Sequence, residues 1–142
     1  MEHWTRPIEQ RALARLSSEQ VIWLTTVSAS GAPQPRPVWF VWDGARIVIY
    51  SEPTARKVAH VAANPRVSLN FNCDAGGDDV QVILGRAALA ADGPAPRDNA
   101  DYLAKYAEAI PAIGQTIASF SERFSAVIVV EPKRVRGLDP LP

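Results

Sequence analysis

Residues 47–58 read Ile47-Val48-Ile49-Tyr50-Ser51-Glu52-Pro53-Thr54-Ala55-Arg56-Lys57-Val58 and predict a β-strand, a sharp turn and a helix start. Thr54 is a favoured N-cap residue, which places Arg56 and Lys57 in the first helical turn. That end of a helix carries partial positive charge and favours acidic residues. Two cations there cost stability unless an anion binds above them, and free backbone N–H groups with the hydroxyls of Ser51 and Thr54 complete a phosphate pocket. Local rules that fail in this way often mark functional sites.

Composition limits the classes of protein to which the chain can belong. The 142 residues suffice for one domain with a sizeable core, and a hydrophobic content of 47% argues against disorder. A formal net charge of zero does not favour a nucleic-acid partner. The single cysteine, Cys73, excludes an intrachain disulfide and a cysteine-based zinc site, and no metal is expected. We expect a cytoplasmic protein without a membrane partner, because no apolar leader and no membrane-length apolar run is present.

Hydrophobic periodicity predicts six strands and a few peripheral helices. The strands are expected at residues 21–27, 37–42, 46–50, 67–71, 80–90 and 125–130, and the helices at 8–16, 54–63, 100–109 and 113–120. Gly85 is the expected site of a bulge, and Pro132 is expected to end the sixth strand before a tail at 133–142. The pattern favours a mainly β, antiparallel barrel in one domain, residues 1–142, with its second apolar face closed or buried in a dimer.

Four motifs follow one another in an order that resembles the split β-barrel flavin-binding superfamily. They are the turn Ser28-Ala29-Ser30-Gly31-Ala32-Pro33, the run Trp39-Phe40-Val41-Trp42-Asp43-Gly44, the segment from Tyr50 to Lys57, and Asn64-Pro65-Arg66-Val67-Ser68-Leu69. The superfamily includes pyridoxamine 5′-phosphate oxidase-like proteins and the F420-dependent reductases of actinobacteria, and the chain is most similar to the F420-dependent branch. The resemblance covers residues 21–90, and the late strand at 125–136 fits the same fold.

The resemblance implies a six-stranded FMN-binding-like split barrel that forms a homodimer, with a cofactor at each end of the interface. In this family the cofactor phosphates lie on the turn after the third strand and on the following helix start, and the second strand runs along the ring. The residues implied at or beside the phosphates are Tyr50, Ser51, Thr54, Arg56 and Lys57. The residues implied along the ring are Gln34, Arg36, Pro37, Val38 and Trp39.

Three functions are compatible with this resemblance. The first is a reductase that passes a hydride from reduced coenzyme F420 to a small electrophilic acceptor; the cofactor carries that chemistry, and no catalytic side chain is identified. The second is an oxidase or reductase that uses FMN, and the third is a non-catalytic binder of a flavin or a haem-like ligand. True pyridoxamine phosphate oxidases carry an Arg-x-x-Leu-Leu-Lys-type strand, whereas residues 36–41 here read Arg36-Pro37-Val38-Trp39-Phe40-Val41, so that reaction is not expected.

Several residues also have simpler structural interpretations. Arg56 and Lys57 would otherwise form part of a solvated helix face, and His60 is expected to be an exposed helix residue. Trp39 and Trp42 are three apart on a predicted strand and point to opposite faces, so they cannot both line one pocket. The acidic loop at 74–79 lacks the spacing of an EF-hand and is expected to be a solvated turn. The late helices between residues 100 and 120 are a candidate lid.

Overall fold

The computed structural model describes residues 2–138. Its helices are α1 (Pro7–Ser18), α2 (Arg56–Ala63), α3 (Ala100–Lys105), α4 (Ala109–Ala112) and α5 (Ile117–Arg123), with a 3₁₀ turn at Pro96–Asp98. Its strands are β1 (Ile22–Val27), β2 (Pro33–Val38), β3 (Val41–Trp42), β4 (Ile47–Ser51), β5 (Arg66–Asn70), β6 (Gln81–Leu89) and β7 (Ala126–Gly137). None of the helices in this part of the chain combines the length and the apolar character that a membrane crossing requires.

The seven strands form one antiparallel sheet in the order β2-β1-β5-β6-β7-β4-β3. Leu24 of β1 and Ile49 of β4 lie far apart in strand order yet belong to the same buried cluster. This shared cluster shows that the sheet curls into a half-barrel. Helix α1 contributes Ile8 and Leu16 to that cluster. The predicted mainly β, antiparallel split barrel is therefore confirmed, with seven strands where six were expected.

The extra strand arises because the predicted second strand, residues 37–42, is two strands at opposite edges of the sheet. β2 begins four residues earlier than expected, at Pro33, and carries further prolines at positions 35 and 37. Successive N–H groups of a strand point to alternate sides, so these three prolines lack donors on the same side of β2. β2 pairs with β1 alone, and that side is the free edge, where proline is tolerated.

Pro132 does not end the last strand, as the sequence had suggested. The register between β6 and β7 steps from Leu84 opposite Arg134 to Gly85 opposite Pro132, which leaves Lys133 as an extra residue in β7. The bulge expected at Gly85 is therefore confirmed, with its additional residue on the partner strand. The proline lies where the ladder is already interrupted, and β6 pairs with β7 on both sides of it. Of the predicted tail, residues 133–137 belong to β7, and residues 139–142 lie outside the described part.

Helices α3 to α5, which the sequence had suggested as a candidate lid, form a packed layer on the outer face of the sheet. A second buried cluster joins Tyr102, Tyr106 and Phe120 of these helices to the outer faces of β4 and β7. The Tyr106 hydroxyl accepts a hydrogen bond from the backbone N–H of Phe40 at 2.9 Å and donates to the carbonyl oxygen of Gln20 at 2.6 Å. Burial raises the pKa of Tyr106 to about 12. These contacts anchor the helices to the sheet.

Candidate functional site

Helix α2 begins with two cations, as the sequence predicts, but its N-cap is not the residue expected. The N–H of Ala55 donates to the carbonyl oxygen of Glu52 at 3.1 Å, and this turn places Thr54 one residue before the N-cap position. Ala55 is the N-cap and offers no side-chain cap. Arg56 and Lys57 are the first two helical residues, and the first turn contains no acidic residue. The helix start thus combines free N–H groups with positive side chains, which favours an anion.

A cleft of about 180 Å³ lies beside this helix start, and we call it the cationic cleft. Its lining residues come from β1, β2, α2 and the N-cap of α2: Thr26, Gln34, Arg36, Ala55, Arg56, Lys57 and His60. Thr26 and Gln34 are directly opposite in the β1–β2 ladder, and Arg36 follows two residues later on the same face of β2. The strand register therefore brings the side chains of β2 to the helix start.

Within the described part of the chain, no ion pair compensates the charges of the cationic cleft. Among residues 2–138, Arg36, Arg56 and Lys57 take part in none of the ion pairs. Burial lowers the pKa of Lys57, and the nearby charge of Arg36 lowers it further, while Glu52 opposes the effect. The Glu52 carboxylate is itself 2.7 Å from the guanidinium of Arg123. A bound anion would relieve the repulsion between the cations and satisfy their donors.

A second cleft, of about 350 Å³, adjoins the first, and we call it the aromatic cleft. It is lined by Pro37, Val38, Trp39, Tyr50, Ser51, Glu52, Ala55, Lys57, Tyr102, Ile113, Phe120 and Phe124. The Trp39 ring stacks on Tyr106, with centroids 4.6 Å apart and an interplanar angle of 7°, and on Phe120 at 5.8 Å. Its size lies within the usual range for small-molecule sites, and its flat apolar walls suit a planar ligand.

The two tryptophans lie in different environments, which confirms that they do not share a pocket. Trp39 lines the aromatic cleft and packs against the outer cluster. Trp42 packs against the core inside the half-barrel. Only one of the two is therefore placed to contact a ligand in the aromatic cleft.

The two clefts bring together nine of the ten residues proposed from the sequence. The aromatic cleft is lined by Pro37, Val38, Trp39, Tyr50, Ser51 and Lys57, and the cationic cleft by Gln34, Arg36, Arg56 and again Lys57. Thr54 lines neither cleft. Ser51 is buried, and its hydroxyl donates to the carbonyl oxygen of Glu52 at 3.0 Å. An anion would therefore compete with an existing contact for the Ser51 hydroxyl.

Sequence reasoning missed His60 and Thr26. His60 is half-buried rather than exposed, and its Nδ1 lies 2.9 Å from the Thr26 Oγ1. A signal for this pair was present, because the inward-facing positions of β1 are Ile22, Leu24 and Thr26. A hydroxyl at a core-facing position needs a partner, and His60 provides it.

The acidic loop serves the fold, consistent with its interpretation as a turn. Asp74 accepts the N–H groups of Gly76 and Asp78 at 3.0 and 2.8 Å. The carboxylate of Asp79 accepts a hydrogen bond from the guanidinium of Arg11 at 2.7 Å. Hydrogen bonds from Arg11 and Gln81 hold the pKa of the Asp79 carboxyl well below its usual range. Across residues 2–138, no group of three or more His, Cys, Asp or Glu side chains is arranged to hold a metal ion.

A family model described as pyridoxamine 5′-phosphate oxidase matches residues 8–139. The pyridoxine/pyridoxamine 5′-phosphate oxidase of Sodalis glossinidius (strain morsitans) is 31% identical over 136 residues, which cover 93% of this chain. The match spans 57% of the length of that curated relative.

Solved structures show the same fold. A protein from Listeria innocua named for pyridoxamine 5′-phosphate oxidase superimposes with a TM-score of 0.64 at 26% identity, covering 92% of this chain and 98% of that one. An F420 reductase superimposes with a TM-score of 0.63 at 23% identity, covering 87% and 94%. At that identity, the second similarity shows the fold alone.

Proposed function

Because this chain belongs to the pyridoxamine 5′-phosphate oxidase family, we propose that it is an oxidoreductase that uses reduced coenzyme F420 to reduce a small electrophilic molecule. The family binds flavin-type cofactors, FMN or F420, and includes oxidoreductases. When bound, such a cofactor supplies the hydride. The side chains of the protein then hold a phosphate, position a planar ring and exclude water from it.

The observation that carries this proposal is the junction of the two clefts. Ala55 and Lys57 line both of them, so a single ligand can extend from the cationic cleft into the aromatic cleft. A phosphate suits Arg36, Arg56 and Lys57, which lack acidic partners in the described residues. A planar ring suits the apolar walls next to them. The arrangement therefore fits a molecule with one anionic end and one flat end.

The preference for F420 over FMN rests on the sequence. The order of motifs resembles the F420-dependent branch, and residues 36–41 lack the lysine of true pyridoxamine phosphate oxidases. The position of that lysine is taken by Val41, which is buried in the outer cluster and offers no hydrogen bond from its side chain.

Titration of the purified protein with coenzyme F420 and, separately, with FMN tests the proposal through their different visible absorption bands. We expect tighter binding of F420. The reverse order would favour an FMN-dependent oxidase or reductase. Tight binding of F420 without turnover of any acceptor in a panel of electrophiles would favour a non-catalytic binder. Thr54→Val is a useful control, because Thr54 lies outside both clefts and its loss should leave binding unchanged.

We further propose that the protein acts as a homodimer. Ile113 and Ile117 are 52% and 51% exposed, and Ile113 lines the aromatic cleft, so a partner subunit would cover apolar surface there. The prolines of β2 disfavour strand pairing at that edge, so the contact would involve a face of the subunit. Obligate dimers bury upward of about 2,000 Å².

Sedimentation with cofactor at micromolar concentration provides the test of assembly. Ile117→Glu should dissociate the dimer, whereas Leu89→Glu, at a residue that is 42% exposed and lies away from both clefts, should not. A native protein that sediments as a monomer would contradict the homodimer.

A further inference from the structure

Tyr102 is almost completely enclosed, with 1% of its surface exposed, yet it lines the aromatic cleft. Its ring is held edge-on to Tyr50, with centroids 4.8 Å apart at 89°, and lies 4.8 Å from Tyr106 and 6.1 Å from Phe120. Its backbone N–H donates to the Asn99 side chain at 3.1 Å. The ring is therefore fixed in one orientation by its neighbours.

The hydroxyl of Tyr102 differs from those of the neighbouring tyrosines. Tyr50 donates to the carbonyl oxygen of Pro94 at 2.7 Å, and Tyr106 donates to Gln20. No hydrogen bond within residues 2–138 involves the Tyr102 hydroxyl, although every fully enclosed side-chain polar atom in that part of the chain has a partner. The Tyr102 oxygen is therefore not sealed off, and the aromatic cleft is the space that this residue lines.

The Tyr102 hydroxyl has no protein partner within residues 2–138, so a ligand in the aromatic cleft can take its hydrogen bond. Burial raises the pKa of Tyr102 well above its usual range, and its neighbours Tyr106 and Tyr50 raise it further. The group is thus a neutral donor at physiological pH. A neutral donor suits an uncharged oxygen acceptor, whereas the anionic end of a ligand is served by the cations of the adjoining cleft.

We propose that the Tyr102 hydroxyl donates a hydrogen bond to a carbonyl oxygen on the planar ring of the ligand in the aromatic cleft. This role rests on the proposed function, since flavin and deazaflavin rings both carry carbonyl oxygens. The fixed ring of Tyr102 makes it a preorganised donor, so little side-chain freedom is lost on binding. Tyr102 then orients the ring, while Lys57 and its neighbours hold the phosphate.

The test compares Tyr102→Phe with Tyr106→Phe, which removes the same atom from a neighbouring tyrosine. Dissociation constants for F420 and FMN and the urea unfolding of the empty protein are measured for both variants. Tyr102→Phe should weaken binding of the preferred cofactor by about three- to tenfold and leave stability unchanged, because its hydroxyl has only a ligand partner. Tyr106→Phe should lose stability, because the buried N–H of Phe40 loses its acceptor, and should retain affinity.

Three results would overturn the proposed role of Tyr102. Equal binding by the native protein and Tyr102→Phe would overturn this role while leaving the proposed function intact. A loss of stability in Tyr102→Phe as large as that in Tyr106→Phe would reveal a protein partner for the hydroxyl and would also overturn it. If the native protein binds neither F420 nor FMN, the proposed function fails, and the role of Tyr102 fails with it.

Discussion

Lys57 lies at the point shared by the cationic and aromatic clefts, and it is poorly accommodated in the empty protein. Burial and the charge of Arg36 both lower its pKa, and its place in the first turn of α2 opposes the helix dipole. A bound anion would offset the repulsion from Arg36 and the opposing helix dipole. Lys57 is therefore the residue at which ligand binding and the stability of the empty protein should separate.

Lys57→Ala should weaken binding of the phosphate-bearing cofactor by about ten- to a hundredfold, because a charge-assisted contact is worth about 1.5–3 kcal/mol. The free energy of unfolding of the empty protein should hold or rise by up to about 1 kcal/mol, because a cation leaves the positive end of a helix. Cofactor titration and urea denaturation of the same preparation measure the two effects.

Lys133→Ala is the matched control for this experiment. Lys133 lies in the β6–β7 bulge, pairs with Glu131 at 2.8 Å and lines neither cleft, so its removal should leave cofactor affinity unchanged. Equal affinity of Lys57→Ala and the native protein would show that Lys57 is an ordinary surface residue. A loss of stability in the empty Lys57→Ala variant would show that Lys57 braces the fold.

The contact between Thr26 and His60 leads to a prediction about which ring nitrogen of His60 carries the proton. Thr26 is 2% exposed, and its Oγ1 lies 2.9 Å from His60 Nδ1. We expect the hydroxyl to donate to Nδ1 of the neutral imidazole, which leaves the ring proton on Nε2. Long-range ¹⁵N–¹H NMR at alkaline pH should show the Nε2–H form of His60. Thr26→Val should mix the two forms and lower the free energy of unfolding by about 0.5–1.5 kcal/mol.

Two features make this measurement clean. The chain has two histidines, so His3→Gln assigns the His60 signals. Thr26→Ser keeps the hydroxyl and should preserve the Nε2–H form. Observation of the Nδ1–H form in the native protein would reverse the direction of the hydrogen bond and remove Nε2–H as a donor to the cationic cleft.

At the scale of elements, local sequence signals predicted the features that do not depend on contacts with distant parts of the chain. The cationic start of α2 and the bulge at Gly85 follow from residue type alone, and the structure contains both. The predicted second strand began only at Pro37, which left Pro33 and Pro35 outside it, and Pro132 was interpreted as the end of a strand, because proline lacks a donor. The prolines of β2 lie at a sheet edge and Pro132 lies at the β6–β7 bulge, so no ladder hydrogen bond needs their missing N–H groups. These positions depend on strand order and register, which cannot be read from the sequence.

The bulge between β6 and β7 yields a prediction for Gly85→Ala. A Cβ at this position would lie 2.9 Å from the carbonyl oxygen of Glu131 and 2.9 Å from Cγ1 of Val130. The backbone oxygen cannot move without disturbing the ladder, so the substitution should lower the free energy of unfolding by about 1–3 kcal/mol. Urea denaturation of the empty protein measures the loss.

Gly76→Ala provides the comparison for this variant. A Cβ at Gly76 would meet only side-chain oxygens of the acidic loop at 3.5 and 3.6 Å, which are ordinary contacts, so stability should be retained. If both alanine variants were equally stable, the close approach of β6 to β7 at the bulge would not depend on the missing side chain of Gly85.

At the scale of the whole molecule, the sheet separates two buried clusters, and the candidate site opens on the outer one. Inner residues such as Leu24 and Ile49 were recognisable as core from their apolar strands. The outer cluster depends on Tyr102, Tyr106 and Phe120, whose helices were recognised without their packing partners. The cationic start of α2, one part of the candidate site, was accessible from sequence because its residues are neighbours in the chain. The aromatic half combines segments more than fifty residues apart.

Burial of ionisable groups in the outer cluster predicts an unusual dependence of stability on alkaline pH. Burial lowers the pKa of Lys105 from 10.5 to about 8, so the folded protein releases this proton before the unfolded chain does. The free energy of unfolding should therefore rise between about pH 8 and 10.5, and Lys57 acts in the same direction. Burial raises the pKa of Tyr106 from 10.0 to about 12, so stability should fall once the unfolded chain ionises above pH 10.

Urea denaturation from pH 7.5 to 11 should thus show a maximum of stability near pH 10, and Lys105→Met identifies its cause. Lys105 Nζ donates to the carbonyl oxygen of Phe40 at 2.8 Å and lies 3.6 Å from the centre of its ring, so the variant loses some stability at every pH. The informative quantity is the slope between pH 8 and 10, which Lys105→Met should flatten and the exposed Lys133→Met should retain. A native profile that is already flat or falling over that interval would mean that Lys105 is charged at little cost, and that the helical layer of α3 to α5 is more open to water than its contacts with Phe40 indicate.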